Sequence, residues 1–269
     1  MIQEILFPVD FSPACTAMAA YVKRVAEMFG ARVTMVHVCD LASHNGFELT
    51  VRSGNEIAEE HQAVALEKLN AFLTSEFPAP CCKRMLRSGE AAEQIVDAAS
   101  TGGFDLIVMP TRASLLRRML LGSTTAKVLN DADCPVMTTE YAETIMPRPV
   151  EHRVWVCAIG LSEDSERVLR VASRESQAAG ARLCVIHAAQ GNGADDAYRR
   201  VQDLLQATGC EAEVRIVAGP VREALLEAAG RSGADALIVG RSPHTGVLGR
   251  LQDLTYSLVR DSPVPVLSV

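Results

Sequence analysis

Asp10 follows the apolar run Ile5 to Val9, and Gly122, Ser123 and Thr124 close a stretch from Pro110 to Thr125 that leads into a helical pattern. Small residues at a helix start offer backbone N–H groups and the positive end of the helix dipole, which is the chemistry that cradles a phosphate. Both features have a plainer reading: Asp10 also fits a helix cap, and Gly122 to Thr124 an ordinary loop-to-helix start. Arg112, Arg117 and Arg118 lie in the same stretch and read either as a solvated face or as compensating positive charge for a phosphate. Signatures of hydrolytic or hydride chemistry are missing: the chain has no G-x4-G-K-[ST] loop, no G-x-S-x-G elbow, no H-E-x-x-H and no G-x-G-x-x-G after a strand.

His37, Cys39 and His44 invite a metal reading, but His37 and Cys39 lie two apart on one strand with a single loop histidine to complete the set, so packing is expected and no metal site. His37 recurs as His187 at an equivalent strand position, which points to a structural role. None of the eight cysteines forms a C-x-x-C pair and most sit in apolar runs, as buried thiols do. No disulfide framework is expected.

The elements that position these residues are written twice. At an offset of 150, EMFGARVTMVHV overlies QAAGARLCVIHA and ILFPVDFS overlies VWVCAIGLS, pairing Gly30 with Gly180 and Ser12 with Ser162. At an offset of 130, SGEAAEQIVDAASTGGFDLIVMP overlies AGPVREALLEAAGRSGADALIVG, pairing Gly89 with Gly219 and Asp105 with Asp235. The first copy therefore carries a longer middle segment, placed around Asp40 to Pro80. In the first copy, strands are expected over Ile5–Val9, Val33–Val38, Lys83–Arg87, Leu106–Met109 and Val136–Thr139. Helices are expected over Pro13–Phe29, Asn55–Phe77, Ala91–Ser100 and Gly122–Asn130. Short, nearly all-apolar strands alternating with helices argue for an α/β fold with buried parallel pairing and right-handed crossovers. The expectation is two tandem doubly wound parallel sheets, in units 1–142 and 152–269, with Glu140 to Glu151 as linker.

Over 269 residues, 48% hydrophobic and 22% charged, each copy can bury its own core. A net charge of −7 and a pI near 5.4 work against nucleic acid and anionic membranes as partners. MIQEILFPVD enters a strand-like run with no basic start, and no apolar run approaches the ~20 residues of a membrane span, so a cytoplasmic location is expected.

The blocks FPVDFS, TMVHV, DLIVMPT, RRMLLGSTTAKVLNDADCPV and ADALIVG resemble those of the universal stress protein family, and the likeness covers nearly the whole chain twice. The resemblance implies a fold akin to the adenine nucleotide alpha hydrolases. It also implies, for an ATP-binding member, an adenine-contacting aspartate at Asp10, a backbone contact at Val38, and a ribose and phosphate loop of form G-x2-G-x9-G-[ST] from Pro110 to Thr124. Its positions are Pro110, Arg112, Ala113, Gly122, Ser123 and Thr124. Two loop glycines are replaced by Pro110 and Ala113, and eight residues separate Ala113 from Gly122, one fewer than the pattern. Proline has no N–H to offer and alanine resists positive φ. Copy two departs further, with Gly160 in the aspartate position, Pro243 in the second glycine position, and Gln252 and Asp253 in place of Gly122 and Ser123. Gly240, Gly246, Gly249 and Arg250 remain, and a pseudo-site is expected there.

The functional expectation is a non-enzymatic stress-response or regulatory protein that binds ATP or another adenine nucleotide weakly in copy one. Its alternatives are a nucleotide-independent scaffold and an enzyme of the wider nucleotide-binding α/β group. In the family that the chain resembles, the last strand often pairs across a dimer, which implies that Val136 to Thr139 pairs with Val264 to Val269 inside one chain; a pseudo-dimeric monomer or a homodimer is expected, and no residue pattern identifies a protein partner.

Overall fold

Side chains that alternate along each short strand between two apolar layers decide the architecture. In β1 (Glu4–Pro8), Ile5 and Phe7 enter one layer and Leu6 the other, and in β6 (Val154–Ala158) Trp155 and Cys157 part from Val156 and Ala158 in the same way. A computed structural model describes residues 1–39, 54–111, 121–139, 152–189, 191, 193–241 and 253–269, with 54–58 and 253 described by backbone alone.

The first half runs β1, α1 (Pro13–Phe29), β2 (Arg32–Cys39), α2 (Gly54–Ala71), β3 (Cys82–Ser88), α3 (Ala91–Thr101), β4 (Leu106–Pro110), α4 (Ser123–Asp131) and β5 (Val136–Thr139). The second repeats it as β6, α5 (Ser165–Ala178), β7 (Arg182–Ala189), α6 (Ala194–Thr208), β8 (Glu213–Ala218), α7 (Val221–Arg231), β9 (Ala236–Val239), α8 (Asp253–Asp261) and β10 (Val266–Ser268). Buried residues of α1, α2, α5 and α6 share one layer, and those of α3, α4, α7 and α8 the other. Registers copy the sequence offsets: Glu4 stands beside Arg32 as Val154 does beside Arg182, and Ile5 beside Leu106 as Trp155 beside Ala236.

The strand order is β3-β2-β1-β4-β5-β10-β9-β6-β7-β8, all parallel within each half. The expectation of two separate sheets is corrected here to one ten-stranded sheet. Its cause is the expected pairing of the two final strands: β5 and β10 join antiparallel, Val136 opposite Ser268 and Thr138 opposite Val266. An unpaired edge strand is a liability, and each half covers the other's. The duplication survives as two like-wound halves related across that seam.

Two further boundaries differ from expectation. Helix α2 stops at Ala71 rather than Phe77, because Leu73 takes φ 51° and Arg84 of β3 donates to the carbonyls of Leu69, Phe72 and Phe77 at 3.0, 3.1 and 2.9 Å. Strand β4 continues through Pro110, which pairs with Thr139. The β1 side of β4 pairs only at Leu106 and Ile107, so proline's missing N–H falls where the strands have already parted. Gly30 and Gly180 end α1 and α5 at φ 64° and 68°, where a Cβ is disfavoured. Asp105 accepts the N–H groups of Gln3 and Glu4 at 2.8 and 3.0 Å, and Asp235 those of Arg153 and Val154 at 2.7 and 2.9 Å. No helix among the described residues is long and apolar enough to cross a membrane.

Candidate functional site

Each half opens a cleft where its strand order reverses, between β1 and β4 and between β6 and β9, at the carboxyl ends of the strands. The first holds about 220 Å³. It brings together Asp10, Val38, Pro110, Gly122, Ser123 and Thr124, with Val9, Ile95 and Met109 as apolar wall. Arg112, Ala113, Arg117 and Arg118 lie outside the described residues, as do the linker expected at 140–151 and His44.

Asp10 does not cap α1. Ser12 does, its Oγ accepting the N–H of Cys15 at 3.3 Å. Asp10 Oδ1 accepts the Ser12 N–H at 2.9 Å and the Cys15 thiol at 3.0 Å. Partial burial raises its pKa, but the hydrogen bonds from Ser12 and Cys15 prevail, so the carboxyl sits below its ordinary value and is ionised at neutral pH. Burial and the Asp10 charge push the Cys15 thiol up to about 12. Between the two, Phe11 adopts φ 62°, a conformation uncommon for a bulky residue, and its ring lies 4.3 Å from that of His37. His37 Nδ1 is 2.8 Å from the Val9 carbonyl; the oxygen can only accept, so the proton is on Nδ1.

Gly122 is the N-cap of α4, at φ −58° and ψ 142°, and its N–H donates to Thr111 O at 3.0 Å. Among the described residues no side chain caps this helix, and no acid stands in its first turn. Thr125 Oγ1 donates to Pro110 O at 3.0 Å and ties the helix start to the end of β4. A Cβ at Gly122 would lie 3.5 Å from Thr125 Oγ1 and 3.6 Å from Thr111 O, ordinary contacts, so neither backbone strain nor packing requires glycine there.

The second cleft is open too, at about 270 Å³. Its framework repeats the first: His187 Nδ1 donates to Ile159 O at 2.9 Å, Thr255 Oγ1 to Gly240 O at 3.1 Å, and Leu161 takes φ 54°. Its chemistry does not. Gly160 provides no carboxylate, and Ser165, where the first half has Cys15, keeps a buried Oγ without a partner. Gly240 is held to glycine by packing, since a Cβ would approach Val168 Cγ2 to 2.8 Å. Helix α8 begins at Asp253. Pro243, Gly246, Gly249, Arg250 and Gln252 lie outside the described residues.

Sequence reasoning missed three features here. Nothing marks Phe11 and Leu161 for positive φ, and nothing marks Arg241 and Tyr256, which reach from the second half to α4 of the first. The third had a signal: Asp105 and Asp235 align at the offset of 130, and a repeated acid before a strand is the pattern of an N–H acceptor.

The family model described as the universal stress protein family matches residues 1–139 and 188–269, most of the chain in two segments. The chain belongs to the universal stress protein family. A universal stress protein of Methanocaldococcus jannaschii is 30% identical over 141 residues, 51% of this chain and 82% of that protein. One of Thermus aquaticus is 34% identical over 142 residues, again 51% of this chain but 98% of that protein, so a whole universal stress protein fits on about half of this one. The crystal structure of a universal stress protein from Archaeoglobus fulgidus shares the fold along nearly the full length, with a TM-score of 0.75, 24% identity, and 98% and 97% of the two chains covered. Residues 140–187 fall outside both matched segments, and they include Gly160 and Ser165, where the second cleft departs from the first.

Proposed function

We propose that this universal stress protein binds an adenine nucleotide in the first cleft and acts as a non-enzymatic stress-response or regulatory protein. The observation that carries the reading is Gly122. The fold does not demand glycine there, yet glycine leaves the N-terminus of α4 bare, with its first-turn N–H groups uncapped by any described residue, beside the ionised Asp10. A bare helix start that carries no acid suits phosphate. The apolar wall of Val9, Val38, Ile95 and Met109 suits the base, and Asp10 Oδ2, which has no partner among the described residues, supplies an acceptor for its amino group.

Absence of catalysis is supported by the groups that line the cleft. The Cys15 thiol is held protonated, so it is not an activated nucleophile. Binding then acts by favouring one conformation or partner surface over another. The second half is a pseudo-site, the two units span 1–142 and 152–269, and the chain forms a pseudo-dimer around the β5–β10 seam. One feature favours the rival scaffold reading: Pro110 extends β4 through the position where the family loop has a glycine.

Titration with a fluorescent ATP analogue separates the two. The nucleotide reading expects saturable binding, weakened about tenfold or more by Asp10→Ala and removed by Gly122→Asp, with the nucleotide recovered unhydrolysed. No binding at millimolar ligand leaves the scaffold, and stoichiometric hydrolysis returns the enzyme.

A further inference from the structure

Helix α4, whose start forms the floor of the first cleft, is held at both ends by the second half of the chain. Ahead of it, the Leu121 N–H donates to the hydroxyl of Tyr256, on α8, at 3.1 Å. Behind it, Arg241, buried just after β9, donates from Nη1 to Leu129 O at 2.7 Å and to Ala132 O at 2.9 Å, and from Nη2 to Cys134 O at 2.8 Å. The carbonyls of Leu129 and Ala132 close the C-terminal end of α4, where the helix dipole is negative and a guanidinium is favoured. The arginine is fixed in turn: its N–H donates to Val269 O at 2.6 Å, and Arg167 Nη2 donates to its carbonyl at 3.0 Å.

Among the described residues the counterpart positions give no such support. At the offset of 130, the first-half counterparts of Arg241 and Tyr256 are Thr111 and Ala126. The Thr111 hydroxyl bonds within its own half, to Thr139 O at 3.4 Å, and alanine has no polar side-chain atom. Leu121 is adjacent to Gly122, so the phenol of Tyr256 fixes the backbone one residue before the bare N–H groups of the helix start. A helix pinned at both ends presents those groups without further ordering when ligand arrives, which is how preorganisation raises affinity.

We propose that Tyr256 and Arg241 are positioning residues for the first cleft: the second half, having lost the aspartate and the glycine-serine helix start, serves as the brace that sets α4 for the ligand. This rests on the nucleotide reading of that cleft. The test is Tyr256→Phe in the full chain, which keeps the ring and removes the hydroxyl, with Tyr198→Phe on the exposed face of α6 as control. Two readouts are taken: hydrogen exchange of the Leu121 amide in the unliganded protein, and the dissociation constant of a fluorescent ATP analogue. The brace expects Leu121 exchange to accelerate and the dissociation constant to rise, both about three- to tenfold, the worth of one neutral hydrogen bond, while Tyr198→Phe changes neither. Unchanged affinity in Tyr256→Phe, with wild-type protein that binds, overturns the brace whether or not exchange accelerates, and leaves the nucleotide reading standing. Wild-type protein that binds no nucleotide overturns the nucleotide reading and the brace with it.

Discussion

Replacing Arg241 by methionine removes at least three hydrogen bonds while nearly filling the volume the side chain leaves. Arg241 is 5% exposed, and two of its acceptors belong to the fully buried Leu129 and Ala132, where water does not substitute. The third belongs to the half-buried Cys134, where water can. A buried acceptor left without a donor costs ~1–3 kcal/mol. Two such losses, partly offset by no longer burying a charge, give about 3 kcal/mol. For a chain of this length that is a fall in melting temperature of roughly 6–12 °C, at ~2–4 °C per kcal/mol. Arg241→Lys keeps the charge but loses the planar fork that reaches three carbonyls, so it should fall between the two. Calorimetry on the three proteins at equal concentration measures the order. A methionine variant within ~1 °C of the parent would refute the idea that this buried guanidinium carries the end of α4.

Thiol reactivity should follow burial and local charge. Exposed Cys81 is alkylated first at pH 8, whereas Cys15, pushed up to about 12 by burial and Asp10, and Cys134, pushed up to about 11 mainly by burial, stay silent until the protein unfolds, as read by mass spectrometry of tryptic peptides. Fast alkylation of Cys15 in native protein contradicts the Asp10 contact. His152 accepts the indole N–H of Trp155 at 2.9 Å, and its pKa is lowered to about 4, chiefly by burial and secondarily by Arg24, against the pull of Asp235. Between pH 6.5 and 4 the unfolded chain binds a proton that the folded one refuses, so about 3 kcal/mol of stability present above pH 6.5 is lost as pH falls towards 4. Urea midpoints followed by the single tryptophan should show this slope flattened in His152→Gln, and an unchanged slope would count against it. Asp105→Ala and Asp235→Ala each strip an acceptor from two backbone N–H groups, and should each cost about 2 kcal/mol in chemical denaturation. One costly and one silent variant would show that the two halves no longer fold by the same rules.

Much of the fold was legible because its determinants are local. Ile5 and Phe7 face one layer and Leu6 the other, as their copies Trp155, Cys157 and Val156 do, Gly30 and Gly180 stop helices, and the offsets of 150 and 130 reappear as strand registers. Fusion into one sheet was half legible. The pairing of β5 with β10 was expected from the family resemblance, but its consequence, a continuous sheet, depends on how the halves meet. The end of α2 was missed because Arg84 captures its carbonyls from another element. At the candidate site, Asp10, Val38, Pro110, Gly122, Ser123 and Thr124 do converge on one cleft, as their places after parallel strands require. That Ser12 and not Asp10 caps α1 turns on one hydrogen bond, which composition does not reveal. Tyr256 and Arg241 were illegible for a stronger reason: their partners lie over a hundred residues away, and no periodicity records such a contact.

The most direct measurement is a crystal structure of the full chain grown with millimolar ATP. The account predicts a nucleotide in the first cleft, its base against Val38 and Asp10 and its phosphates over the start of α4, with none in the second. A nucleotide seated only beside Gly160, or neither cleft occupied at that concentration, would contradict it.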